Sequence, residues 1–90
     1  MKINITPEGA AITRRFFLAL DTLQIKRSIR GLKTFTDRYE INYWNMNTLK
    51  KEPERRVLKA EWLAHLVRDY GVNAEWLLLG VGNMFIDSQN

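Results

Sequence analysis

The stretch FTDRYEINYWNMNTL, Phe35 to Leu49, decides how this chain is read. Phe35 and Tyr39 stand four residues apart, and Met46 and Leu49 three apart. Those spacings put each pair on one face of a short helix. Only Glu40, Ile41 and Asn42 lie between the two helices, which leaves room for a sharp turn and nothing longer. Ile41 is the apolar residue of that turn and is expected to point back into the angle between the helices. Asn42 suits the start of the second helix, because its side-chain oxygen accepts a backbone N–H that the first turn leaves unpaired. Two short helices with inward apolar residues around a tight turn make a helix-turn-helix pattern. The expected spans are about 32–39 and 43–51.

Upstream, Thr6-Pro7-Glu8 reads as a helix start, with Thr6 as the cap, Pro7 at the first helical position and Glu8 favouring the dipole. Ile12, Phe16, Ala19, Leu20 and Leu23 follow at spacings of three and four, so a first helix is expected over about 7–23, with Phe17 beside its apolar stripe. Gln24 to Gly31 is a basic connector with Ile25 and Ile29 as possible anchors. Downstream, Pro53 disfavours helix at Glu52 and ends the third helix. A fourth helix, about 59–70, buries Trp62, Leu63, Leu66, Val67 and Tyr70 and stops at Gly71. Asn73 caps a short fifth helix, about 74–79, closed by Gly80, and residues 80–90 form a tail. No segment alternates apolar and polar residues for long enough to be a strand. The expectation is one all-α domain of five helices over residues 1–90.

Ninety residues suffice for a single core without staples, and 46% hydrophobic with 27% charged residues argues against disorder. The chain has no cysteine, which removes disulfide and thiolate-metal chemistry. The longest apolar run, Trp76 to Leu79, is far too short to span a bilayer. Met1-Lys2 leads into mixed residues rather than an apolar signal core, so the expected location is cytoplasmic, with no membrane partner. The net charge of +4 is unevenly spread. Residues 26–59 hold ten basic side chains against four acidic, a net +6, whereas residues 60–90 are net −3. Positive charge concentrated around the helix-turn-helix pattern points to a polyanionic partner.

With Met46 and Leu49 inward, the third helix turns Tyr43, Trp44, Asn47, Thr48 and Lys51 outward. Amides pair with adenine in the major groove, hydroxyls with either strand, and aromatic edges touch thymine methyls. Tyr43, Trp44, Asn47 and Thr48 are therefore the expected base-reading set, with packing on neighbouring loops the competing role for the two aromatics. Asn45 leans inward, where packing or capping competes with base contact. Lys33, Arg38, Lys50, Lys51, Arg55 and Arg56 flank that helix and are the expected phosphate contacts. Enzyme readings find little support. His65 is the only histidine and has no acidic cluster at ligand spacing, the carboxylates are scattered, and Gly80-Val81-Gly82 lacks the strand and helix of a phosphate loop. No catalysis, no metal, no cofactor and no small-molecule substrate are expected. Trp76, Leu77, Leu78 and Leu79 are consecutive and cover the whole circumference of a helix. Trp76, Leu78 and Leu79, with Met84 and Phe85 beyond them, are the expected homodimer interface, the alternative being that the tail folds back over this surface.

From Phe35 to Pro53 the pattern resembles the XRE-like helix-turn-helix domains of phage repressors. The closing run YGVNAEWLLLGVGNMF, Tyr70 to Phe85, resembles the end of that domain in phage CI-type repressors, with its Trp-Leu-Leu-x-Gly and Gly-x-Met-Phe. The whole is also similar to small regulators of Bacteroides-type bacteria, through Thr-Phe-Thr, Asn-x-Trp-Asn and Trp-Leu. The resemblance covers about residues 12–85 and implies a five-helix lambda-repressor-like fold that binds double-stranded DNA. Carried over by position, it implies base reading by Tyr43, Trp44 and Thr48 and phosphate contacts at Leu32-Lys33, Lys51 and Arg55-Arg56. The chain departs from the pattern at Thr36, at Glu40 where the turn glycine is usual, and in aromatics where the reading face usually carries glutamines. A protein-binding adaptor or antitoxin-like module on the same fold is the leading alternative to a transcriptional regulator.

Overall fold

The structure is a computed structural model and describes residues 5–86. It contains α1 (Pro7–Ile25), α2 (Leu32–Arg38), α3 (Tyr43–Lys51), α4 (Ala60–Tyr70) and α5 (Ala74–Leu79). Among the described residues the only extended pairing is a one-residue antiparallel bridge between Val72 and Phe85. The protein is thus all-α, with the five helices that periodicity and capping residues anticipate. No helix among the described residues is long and apolar enough to cross a membrane. The chain divides into two compact units, Met1–Val57 and Leu58–Asn90.

In the first unit, α1 opens as its sequence dictates. Thr6 Oγ1 accepts the Gly9 N–H at 3.0 Å, and Pro7 occupies the first turn, where its missing N–H leaves nothing unpaired. Phe16, Phe17, Ala19, Leu20 and Leu23 are buried along its inner face, whereas Ile12 is half-buried. The helix runs two residues past the expected end at Leu23, to Ile25. It closes through Ser28 N–H to the Leu23 carbonyl and Arg27 N–H to the Gln24 carbonyl, at 2.9 and 3.0 Å. That pair of bonds is a Schellman closure, and it puts Arg27 in left-handed backbone at φ 66°. Of the two isoleucines expected to anchor the connector, Ile29 is buried and Ile25 is 80% exposed. The longer helix carries Ile25 outward, and the closure turns Ile29 in.

The rings of Phe16 on α1 and Phe35 on α2 meet edge to face at 5.8 Å, with Phe17 and Tyr39 each 5.0 Å from one of them. α3 packs against both α1 and α2, and its Met46 and Leu49 are buried. Two buried hydroxyls, of Thr13 and Thr36, donate to the carbonyls of Gly9 and Lys33 in their own helices, so neither leaves a polar group unpaired. α2 ends by the same closure as α1, with Ile41 N–H to the Thr36 carbonyl at 2.8 Å and Glu40 N–H to the Asp37 carbonyl at 3.4 Å. Glu40 sits at φ 56°, the left-handed conformation that costs a non-glycine residue about 1 kcal/mol.

In the second unit, α4 buries Trp62 and Leu66, with Leu63, Val67 and Tyr70 half-buried. It begins at Ala60, one residue later than expected, because Lys59 is in extended backbone at ψ 136° and stands as the cap, without a side-chain oxygen to accept an N–H. Gly71 ends it in left-handed backbone at φ 70°. Asn73 then has two roles. Its Oδ1 accepts the Glu75 N–H to start α5, and its Nδ2 donates to the Asn83 carbonyl. With Asn73 N–H to the Met84 carbonyl at 2.8 Å and Ile86 N–H to the Gly71 carbonyl at 2.9 Å, the tail folds back along Gly71–Asn73. Positions 87–90 of the expected tail lie outside the described residues.

Candidate nucleic-acid interface

The geometry of α3 starts from its cap. Asn42 Oδ1 accepts the Asn45 N–H at 3.0 Å, which fixes the helix start and so the direction of every side chain after it. With Met46 and Leu49 buried, helical spacing puts Trp44, Asn47, Thr48 and Lys51 on the opposite face, Tyr43 and Lys50 at one margin and Asn45 at the other. Trp44 is 71% exposed and Tyr43 half-buried, and their rings meet edge to face at 5.2 Å. The large apolar surface of Trp44 is therefore presented to solvent, which leaves little to the packing role. Asn47 and Thr48 are half-buried. The Thr48 hydroxyl donates to the Trp44 carbonyl at 2.8 Å, so towards an outside partner it is an acceptor. Asn45, expected to lean inward, is exposed, and only its backbone serves the cap.

The six flanking cations fall into three groups. Lys33 Nζ is 3.0 Å from Asp37, Lys50 Nζ 3.3 Å from Asp21, and Arg56 Nε 3.5 Å from Glu52, all exposed pairs. Arg38 lies over the Tyr39 ring at 5.2 Å. Lys51 and Arg55 are exposed and have no ion-pair partner among the described residues. Lys33 Nζ is also 5.9 Å from the centre of the Tyr43 ring, so the start of α2 is brought beside the start of α3. Lys51 and Arg55 stand at the other end. The outward face of α3 is thus uncharged over Tyr43–Thr48 and bounded by cations at both ends.

Two arginines outside the expected set join this picture. Arg27 and Arg30, in the connector before α2, are exposed and without an ion pair among the described residues. In the sequence they belong to the +6 segment but have no helix face to single them out. On the other side of α3, Arg14, Phe17, Leu18, Asp21, Lys50 and Pro53 line an open, mainly apolar depression of about 370 Å³. Ion pairs between Asp21 and Lys50 and between Arg14 and Glu54 tie α1 to the end of α3 and its following loop.

The expected dimer residues lie in the second unit. Leu78 and Leu79 are exposed, Trp76, Met84 and Phe85 are half-buried, and Met84 and Phe85 belong to the folded-back tail. His65 Nδ1 lies 3.3 Å from the Arg68 guanidinium, and no group of three potential metal ligands occurs among the described residues. No protein-family model, no curated protein and no solved structure matches this chain.

Proposed function

We propose that this chain is a sequence-specific double-stranded-DNA-binding regulator with a lambda-repressor-like helix-turn-helix, α2 and α3, and that it carries out no catalysis. One observation carries the reading: α3 turns an uncharged face with a 71% exposed Trp44 to solvent, with cations at both its ends. A helix laid in the major groove needs uncharged hydrogen-bonding and apolar groups over the base edges and positive charge where the two backbones pass. Asn47 offers an amide for adenine, Thr48 an acceptor for a base amino group, and Tyr43 and Trp44 ring edges for thymine methyls. Lys51 and Arg55 are the primary phosphate ligands. Lys33, Lys50 and Arg56 must exchange a carboxylate for a phosphate, and Arg38 serves at the margin of α2. Two copies joined through Trp76, Leu78, Leu79, Met84 and Phe85 would read half-sites about 34–36 Å apart.

The same exposed Trp44 favours a second reading, a protein-binding adaptor or antitoxin-like module, since tryptophan is enriched among the residues that dominate protein interfaces. Salt dependence separates the two. Duplex binding should weaken steeply with salt, and the triple variant K51Q/R55Q/R56Q should flatten log K against log salt by roughly 0.9 for each phosphate no longer neutralised. Thr48→Ala should leave that slope unchanged and relax preference at particular base pairs by about 1–3 kcal/mol. A triple variant that binds as wild type does at every salt concentration overturns the reading.

A further inference from the structure

The connector between α1 and α2 is short and basic, and it is turned by backbone hydrogen bonds at its start. Lys26 and Arg27 follow α1 directly, and the Schellman bonds of Arg27 and Ser28 turn the chain. Ile29 is 4% exposed and plugs the connector into the first unit. On either side of that anchor Arg27 and Arg30 are exposed, and neither has an ion-pair partner among the described residues. Arg27 moreover holds left-handed backbone at φ 66°, where a glycine would be relaxed and an arginine is strained. The closure of α1 accounts for that backbone, but it does not require an arginine there rather than a glycine. The connector leads within three residues to Lys33, whose Nζ is 5.9 Å from the Tyr43 ring at the start of α3. Lys51 is about 12 Å further along α3, at 1.5 Å per residue, and Arg55 follows in the loop beyond it.

We infer that Arg27 and Arg30 form a second phosphate-binding element on the α2 side of α3, contacting the nucleic-acid backbone opposite the strand held by Lys51 and Arg55. The inference rests on the DNA-binding reading and adds to it the ligands of the second backbone. A guanidinium presents a planar fork matched to phosphate oxygens and needs no base identity, so the element contributes affinity and orientation without sequence preference. Both side chains are exposed and without an ion pair among the described residues, and so are available to an anion outside the unit.

The test is duplex binding by the full chain over a range of salt. The double variant R27Q/R30Q should bind every sequence more weakly and flatten the salt slope by about 1.8, two phosphates at roughly 0.9 each, with the preferred sequence unchanged. R27K/R30K should restore most of the slope. Arg27→Gly separates charge from strain: it should raise the melting temperature and still flatten the slope by about 0.9. If wild type binds duplex, K51Q/R55Q flattens the slope and R27Q/R30Q does not, the inference is overturned while the parent reading stands. If wild type does not bind duplex at all, both fall. A shift of preferred sequence in R27Q/R30Q would make these arginines base contacts and would likewise overturn it.

Discussion

Arg27 and Glu40 hold left-handed backbone at the ends of α1 and α2, while Gly71 and Gly80 hold it at the ends of α4 and α5. The same chain solves the same problem twice, with charged residues in the first unit and glycines in the second. Glycine reaches this conformation without a clash between Cβ and the carbonyl that follows, and a side chain there costs about 1–2 kcal/mol. The second unit has relaxed helix ends but leaves Leu78, Leu79, Val81 and Ile86 on its surface. The first unit has strained helix ends and an exposed set of cations. The first unit exposes Leu18, Ile25, Trp44 and Val57 as well, so apolar surface is common to both units and charged residues at left-handed turns are confined to the first. The proposed function has a use for the charge at Arg27 and for the apolar surface of the second unit, and none for the carboxylate at Glu40.

The largest effect expected concerns the apolar surface of the second unit. If it is covered by another copy, the protein should sediment as a dimer at micromolar concentration, and Leu78→Asp should give a monomer without unfolding α4. Leu78 is 41% exposed and Leu77 beside it is fully buried, so an aspartate at position 78 meets solvent in the monomer. A wild-type monomer, with and without DNA, sinks the dimer, and the folded-back tail then accounts for all the cover this surface receives.

Exchanging the helix ends should have opposite effects in the two units. Glu40→Gly should stabilise by about 1 kcal/mol, partly offset by the extra freedom of a glycine in the unfolded chain. Gly71→Ala should destabilise by a similar amount. A Cβ at Gly71 would meet nothing within 4 Å, so strain rather than collision sets the loss. In a chain of this size a change of about 1 kcal/mol moves the melting temperature by about 4–8 °C, well within thermal-melt precision. Equal losses at both positions would show that Glu40 has compensating contacts and that the contrast between the units is superficial.

Much of this architecture can be read from local rules. Thr6, Asn42 and Asn73 each accept the N–H that their position after a loop implies, and Gly71 and Gly80 close helices as glycines do. Such caps are decided within three or four residues, so sequence reveals them. The end of α1 is hidden from sequence because Arg27 sits where a glycine would have signalled the stop. The stop at Glu40 is legible without a glycine, because only three residues separate the two helices that apolar spacing marks. The outward face of α3 follows from Met46 and Leu49, a matter of helical period. Local spacing of four residues supplies the pairs Lys33–Asp37 and Glu52–Arg56, but not the long-range ones. Lys50 meets Asp21 across 29 positions and Arg14 meets Glu54 across 40, so those pairs arise from packing. For the same reason Arg27 and Arg30 stand out only once Ile29 is seen to be buried and Ile25 exposed.

The smallest effect expected tests that division of the first unit's charges. Asp37 and Asp21 hold Lys33 and Lys50 in exposed ion pairs, of a kind that contributes about 0.2–1 kcal/mol at most. Asp37→Asn and Asp21→Asn should therefore change stability by less than about 0.5 kcal/mol, close to what a surface substitution does. Their effect on binding should have the opposite sign and be easier to measure. With the carboxylate gone, a lysine no longer has to leave one anion for another, so duplex affinity should rise and the salt slope steepen by up to about 0.9 for each lysine released. Removing any negative charge from a protein that binds a polyanion helps somewhat, so a matched control is needed. Glu8 is exposed in the first turn of α1, about 20 Å along that helix from Asp21, beyond the screening length of about 8 Å in physiological salt. Glu8→Gln makes the same change of charge without releasing a cation. If it raises affinity as much as Asp21→Asn does, net charge alone governs binding, and the pairing of Lys33 and Lys50 has no part in it. If Asp21→Asn and Asp37→Asn exceed it, the carboxylates restrain the interface and set how tightly the first unit holds an anionic backbone.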